Sequence, residues 1–338
     1  MVYIMSNKLN VGFITSKSGR WPQELPDKRF KEYGDWVNAN LDANIVMTEG
    51  VCVDQASIAK AVEKFKSNSV DVVLMVYGAF TGDDVATYIG QELKKPVILW
   101  APYEPPFDGN RLYGNALVAM TMNAASMYRL GYSFHAVLGS CDDPRATDEI
   151  KGWIKTYSVI KELNGTTLGL IGYRPTAFYN SAFDEGLIRR TFGIKMEETD
   201  LKVVFDNMAA MDGAAVQAEM DLVNRNFKVA AMPEGHLENH AKLYHAMKKT
   251  VKDAGYDYVT LKCWPEMGNL KTTPCAVMGR LNDDGVFIGC EGDVDATLAS
   301  IVQNKLTGKP PFITDLINID EEANTVAFWH CGQAAPSL

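Results

Sequence analysis

Val70–Tyr77 reads VDVVLMVY, an almost unbroken apolar run only eight residues long. Such a run is too short for a buried helix of ordinary length. Without polar alternation it cannot sit half in water, so it reads as a strand covered on both faces. That demand constrains the whole chain, because a strand buried on both sides needs helices packed above and below a parallel sheet. The rest of the first half supplies them. Val11–Thr15, Ile45–Met47, Pro96–Ala101 and His135–Gly139 are further short apolar runs. Between them Phe30, Tyr33, Trp36, Val37 and Leu41 recur at helical spacing, as do Ile58, Ala61, Val62 and Phe65. The reading is an open, doubly wound α/β domain over residues 1–160.

Turn residues at Glu162–Thr166 precede a restart of the same rhythm. Strands are expected at Leu168–Tyr173, Leu201–Phe205, Val229–Met232, Tyr258–Cys263 and Val286–Cys290, and helices at Ala214–Asn224 and Leu237–Ala254. They predict a second α/β domain over 161–309, with a hinge near 160. From residue 310 the pattern changes: two strands flank the acidic turn Asp320–Asn324, an antiparallel signal opening a β-rich segment, 310–338.

Charge narrows the partners. The net charge of −9 and the absence of a Lys/Arg cluster argue against nucleic acid and anionic membrane surfaces, leaving a small neutral or polar molecule. No apolar run approaches a membrane span, and Met1–Asn10 lacks the build of a secretory leader, so the cytoplasm is expected. The six cysteines show no CxxC spacing, which removes zinc-ribbon and disulfide-scaffold readings.

In open α/β sheets ligands sit beyond the carboxyl ends of strands, so polar residues placed there are the candidates. Glu266 follows the strand at Tyr258–Cys263, Glu291 and Asp293 follow Val286–Cys290, and His330 ends an apolar run. Asp293 also reads as an ordinary helix N-cap, with Asp295 in the first turn. A cap leaves Glu266 and Glu291 unexplained. Carboxylates converging on one place repel unless a cation or a shared proton relieves them, and hard divalent ions suit such a set. A rival cluster, Glu234, His236, Glu238 and His240, puts two imidazoles at i, i+4 without the H-E-x-x-H order, and reads as a solvated helix start. The loop after the first strand, Ser18–Gly19–Arg20–Trp21, offers a guanidinium and an indole to a hydroxylated or anionic ligand, or is a plain exposed connector. Trp100–Asn115 is too aromatic and proline-rich for a simple linker, and no phosphate-cradling glycine motif occurs.

KCWPEM (Lys262–Met267), TPCAVMGRLNDDG (Thr273–Gly285), CEGDVDATLASIVQNKLTG (290–308) and FWHCGQAAP (Phe328–Pro336) together resemble the L-fucose/L-arabinose isomerase superfamily, in its fucose-isomerase-like branch. The resemblance implies two Rossmann-like domains followed by a β-rich C-terminal domain, and Mn²⁺-dependent aldose–ketose isomerisation of a sugar through a cis-enediol. It implies metal and acid–base roles for Asp293 and Glu266, with His330 and Trp264 near sugar or metal. It also implies that Arg20 and Trp21 reach a neighbouring subunit's site, which makes the protein a homo-oligomer with shared active sites. Members continue past the WHCG motif and carry their metal-binding histidine there, whereas this sequence stops at Leu338: either it is a truncated form, or His330 serves as the imidazole, or the protein no longer isomerises sugars. The alternative function is a non-catalytic sugar-binding or sensing protein built of two α/β domains.

Overall fold

The VDVVLMVY run folds as the strand Val72–Tyr77, every residue of which is fully buried. In the computed structural model, which describes residues 8–107, 109 and 111–338, it is the central strand of five. These are β1 (Asn10–Ser16), β2 (Asn44–Met47), β3 (Val72–Tyr77), β4 (Val97–Ala101) and β5 (Phe134–Leu138), in the order β2-β1-β3-β4-β5 and all parallel. Five helices connect and cover them: α1 (Glu24–Asn40), α2 (Gln55–Ser67), α3 (Asp84–Leu93), α4 (Ala116–Leu130) and α5 (Pro144–Leu163). The two-residue period of β3 feeds two cores. Val72, Leu74 and Val76 pack with Tyr33 and Val37 of α1 and Ile150 and Ile154 of α5. Val73, Met75 and Tyr77 pack with Phe65, Ile89 and Met127 of α2, α3 and α4. Each such side chain removed from water stabilises the fold by about 1.5–3 kcal/mol, so a polar residue anywhere in β3 would be costly.

The chain divides into a unit that closes at Glu162 and a unit that runs Leu163–Leu338. The second unit holds a parallel sheet of β6 (Thr167–Ile171), β7 (Lys195–Thr199), β8 (Tyr258–Leu261) and β9 (Ile288–Cys290), in the order β7-β6-β8-β9. Its helices are α6 (Glu185–Phe192), α7 (Leu201–Ala209), α8 (Gly213–Asn226), α9 (His236–Ala254), α10 (Cys275–Asp283) and α11 (Val294–Thr307). Both units are therefore open α/β sheets, as the sequence predicts. The hairpin β10 (Asp315–Asp320) and β11 (Thr325–Trp329) is antiparallel, and all eleven of its residues are exposed. No helix among the described residues is long and apolar enough to cross a membrane. Residues 1–7, part of the segment read as lacking a leader, lie outside the described residues.

Two expected strands are corrected. Leu201–Phe205 opens α7: the Asp200 carboxylate accepts from Lys202 N at 2.7 Å, and Leu201, Val204 and Met208 form a buried stripe at helical spacing. Val229–Met232 forms no strand; it is a mostly exposed connector between α8 and α9, and Pro233 behind it has no N–H to give a ladder. The place beside β6 is taken by KMEET, Lys195–Thr199, an exposed edge strand that apolar content does not reveal.

Candidate active site

Ile171, Leu261 and Cys290 are in register across β6, β8 and β9. The next residues, Gly172, Lys262 and Glu291, therefore leave the sheet side by side. The chain lays β7 on one side of β6 and β8 and β9 on the other, so this edge is the topological switch point where open sheets bind ligands. Gly172 has φ +81°, and a Cβ on it would stand 3.1 Å from Lys262 Cβ and 3.2 Å from Leu201 Cβ. Glycine is what lets these strand ends close together.

Beyond Lys262 come Cys263, Trp264, a cis Trp264–Pro265 bond and a 3₁₀ turn, Glu266–Leu270. The turn returns Glu266 to its own strand end, where Lys262 Nζ donates to Oε1 at 2.5 Å. Oε2 is buried and has no hydrogen-bond partner. Burial opposes ionisation of Glu266, but the hydrogen bond from Lys262, a backbone N–H and the lysine charge outweigh it and hold the pKa below the ordinary glutamate value. Lys262, Glu266, Gly172, Tyr173, Asp200 and Lys202 line part of a cavity of about 570 Å³ at these strand ends.

Past β9 the chain turns through Glu291 (φ +61°) and Gly292 (φ +65°) to Asp293. Asp293 Oδ1 accepts from Ala296 N at 2.9 Å, so Asp293 does cap α11. Gly292 N donates to Leu261 O at 3.1 Å, and a Cβ on Gly292 would fall 2.1 Å from Tyr173 O and 3.2 Å from Arg174 Cα. The turn thus lies against the residues that follow β6. Glu291, half-buried, has a raised pKa: burial raises it most, His330 opposes, and Asp315 and Asp293 add to the rise. His330 is 8% exposed, and its Nδ1 is buried without a partner.

The structure gathers Lys262, Glu266 and Gly172 at one cavity, and Glu291, Asp293 and His330 around the neighbouring turn. Glu291, to which the resemblance assigns no role, is the one whose charge senses His330. Trp264 is 56% exposed beside them. Among the described residues no group of three or more His, Cys, Asp or Glu side chains is placed to hold a metal ion. Lys262 was absent from the sequence-derived candidates, although its position directly after β8 marks it by the same strand-end rule.

Arg20 and Trp21 belong to the first unit, in the loop after β1 at that sheet's own switch point between β1 and β3. The loop is anchored by Ser18 N donating to Phe80 O at 2.7 Å and Lys17 Nζ donating to Trp21 O at 2.7 Å, with the Trp21 ring 6.3 Å from that of Phe80. Arg20 is exposed. The aromatic loop after β4 has a structural explanation. Glu104 accepts from the backbone N–H groups of Tyr113, Gly114 and Asn115, and buried Arg29 donates to Gly78 O and Tyr103 O. His240 is not paired with His236 around a metal; its Nε2 lies 3.1 Å from Arg280 Nη1, and Arg280 is paired with Glu219 at 2.5 Å.

No family model matches the chain. It is similar to the sulfoquinovose isomerase of Priestia aryabhattai, 26% identical over 313 residues, covering 90% of this chain and 68% of that one. The sulfoquinovose isomerase of Clostridium sp. (strain MSTE9) is 30% identical over 270 residues, covering 77% of this chain and 59% of that one. The sulfoquinovose isomerase of Alkalicoccus urumqiensis is 24% identical over 245 residues, covering 72% and 55%. A solved periplasmic solute-binding protein from Actinobacillus succinogenes with bound D-allose aligns at 11% identity over 94% of this chain and 99% of that one, with a TM-score of 0.23, too low to bear on fold or function. The relatives are named for sulfoquinovose rather than fucose or arabinose; what they share with the sequence-based expectation is that they are sugar isomerases, and it is to sugar isomerases that this chain is similar.

Proposed function

We propose that the protein interconverts an aldose and its ketose, and that a hexose carrying a sulfonate, the sugar its relatives are named for, is its substrate. The observation that carries this reading is the Lys262–Glu266 pair at the switch point of the second sheet. Isomerisation moves a proton from C2 of the open-chain aldose to C1 while a hydroxyl proton passes between O1 and O2. Glu266, kept ionised by Lys262, takes the C2 proton through Oε2 and returns it to C1 of the cis-enediol. Lys262 spends one of its three N–H donors on Oε1, and the others serve the oxygen on which negative charge develops. Glu291, at the neighbouring turn and with its pKa raised chiefly by burial, is the proton donor in this proposal.

The manganese ion implied by the resemblance remains part of the proposal. Donor chemistry suited to it is present in Glu266 Oε2, Asp293 and His330 Nδ1, but these are not assembled into one set of three, so no step here is routed through a metal. Elemental analysis of the purified protein tests the cation directly. The cytoplasm and the homo-oligomer in which Arg20 and Trp21 complete a neighbour's site belong to the same proposal. The isomerase reading is tested by incubating the protein with sulfoquinovose: formation of the ketose supports it, and binding with the sugar unchanged favours the sugar-binding alternative.

A further inference from the structure

Immediately after β6 the chain reads Gly172–Tyr173–Arg174–Pro175. Arg174 Cα lies where it touches the turn Glu291–Gly292–Asp293, so its side chain starts beside the candidate carboxylates. The guanidinium is held in place: Nη1 donates to Phe178 O at 2.6 Å, and Cζ lies 5.7 Å from the Tyr173 ring centre and 5.5 Å from that of Tyr179. Nε is buried without a partner, and among the described residues no carboxylate forms an ion pair with Arg174. The flanking rings are open to solvent, Tyr173 at 51% and Tyr179 at 78%.

The backbone of this half-buried cation sits beside the turn that carries Glu291 and Asp293, yet its guanidinium is turned to Phe178 O and the two tyrosine rings and pairs with neither carboxylate. Its Nη2 is left without a partner in the described residues. A rigid fork with an unspent donor suits a tetrahedral oxyanion, which accepts two N–H bonds in one plane. Tyr173 also lines the cavity that Glu266 faces. We infer that Arg174 holds the anionic substituent of the sugar, a sulfonate or the phosphate that shares its geometry, and thereby selects charged over neutral hexoses. This rests on the isomerase reading only for the identity of the sugar; the anion-binding role is separately measurable.

The test is calorimetric titration of wild type, Arg174→Met and Arg174→Lys with sulfoquinovose, glucose 6-phosphate and glucose, with circular dichroism to establish that each variant is folded. The wild type is expected to bind at least one of the two anionic sugars more tightly than glucose. Arg174→Met is expected to lose that anionic affinity by about 10- to 100-fold while glucose changes by less than about 2-fold, and Arg174→Lys to recover part of the loss. Equal losses for charged and neutral sugars, no loss, or a wild type that does not prefer either anion would overturn the inference. An Arg174-dependent preference in a protein that leaves the sugars unchanged would uphold it while refuting the isomerase reading. Isomerisation in which Arg174→Met handles sulfoquinovose as wild type does would do the reverse.

Discussion

Replacing Gly292 with alanine tests whether the turn carrying Glu291 and Asp293 is truly docked on the segment after β6. Two costs are separable. The first is conformational: φ is +65°, and an L-residue in the left-handed region costs about 1–2 kcal/mol relative to glycine. The second is steric, because the new Cβ would stand 2.1 Å from Tyr173 O and 3.0 Å from Tyr173 C. Those are backbone atoms and cannot rotate aside, so the turn or the β6 loop must shift, at a cost of about 1–3 kcal/mol. Gly308 supplies the control: its φ is +70°, and nothing lies within 4 Å of an added Cβ. Gly308→Ala carries only the first cost. In a unit the size of Leu163–Leu338 each kcal/mol moves the unfolding midpoint by about 2–4 °C, so Gly292→Ala is expected to unfold about 2–12 °C below Gly308→Ala in scanning calorimetry. Sugar binding should weaken in Gly292→Ala alone, since only that change moves the carboxylates from Arg174. Equal midpoints for the two variants would refute the docking.

Glu266→Gln should leave the fold and sugar binding intact and lower the isomerisation rate by about 10²- to 10⁴-fold, measured as ketose formed per unit time; a smaller loss would remove Glu266 as the base. If Arg20 serves a neighbouring subunit, mixing inactive Arg20→Ala with inactive Glu266→Gln and allowing subunits to exchange should restore part of the activity, whereas sites contained in one chain would stay inactive. His240 has a lowered pKa because burial, and then Arg280, disfavour its charged form, with Glu219 opposing. The unfolded chain therefore takes up a proton below about pH 6.5 that the folded chain resists, and stability is lost as pH falls. His240→Gln should flatten the decline in the unfolding midpoint between about pH 7.5 and about pH 5.5, and an unchanged slope would count against that assignment. His135, also lowered by burial, leaves a residual slope.

Strands buried on both faces were the most legible part of the sequence, because Val72–Tyr77 and Leu168–Ile171 have no polar residue to disguise them. Legibility failed where apolar content and periodicity disagree. Leu201–Phe205 looks strand-like over five residues, yet its buried positions repeat as in a helix, and Asp200 caps it. Lys195–Thr199 is an edge strand with two glutamates, stabilised by backbone pairing to β6 rather than by burial. In the site, Glu266 and Asp293 are readable because they follow strands. The electrostatic influence of His330 on Glu291 and the position of Arg174 beside Gly292 are tertiary facts, which spacing along one chain does not encode.

The most direct measurement follows sulfoquinovose by NMR in D₂O, with and without added Mn²⁺, in the presence of the protein. Isomerisation by proton abstraction at C2 predicts that ketose signals appear and that solvent deuterium enters the recovered aldose at C2, with both losses seen in Glu266→Gln. A sugar that binds and is returned with its C2 hydrogen and aldose signals intact would contradict the account.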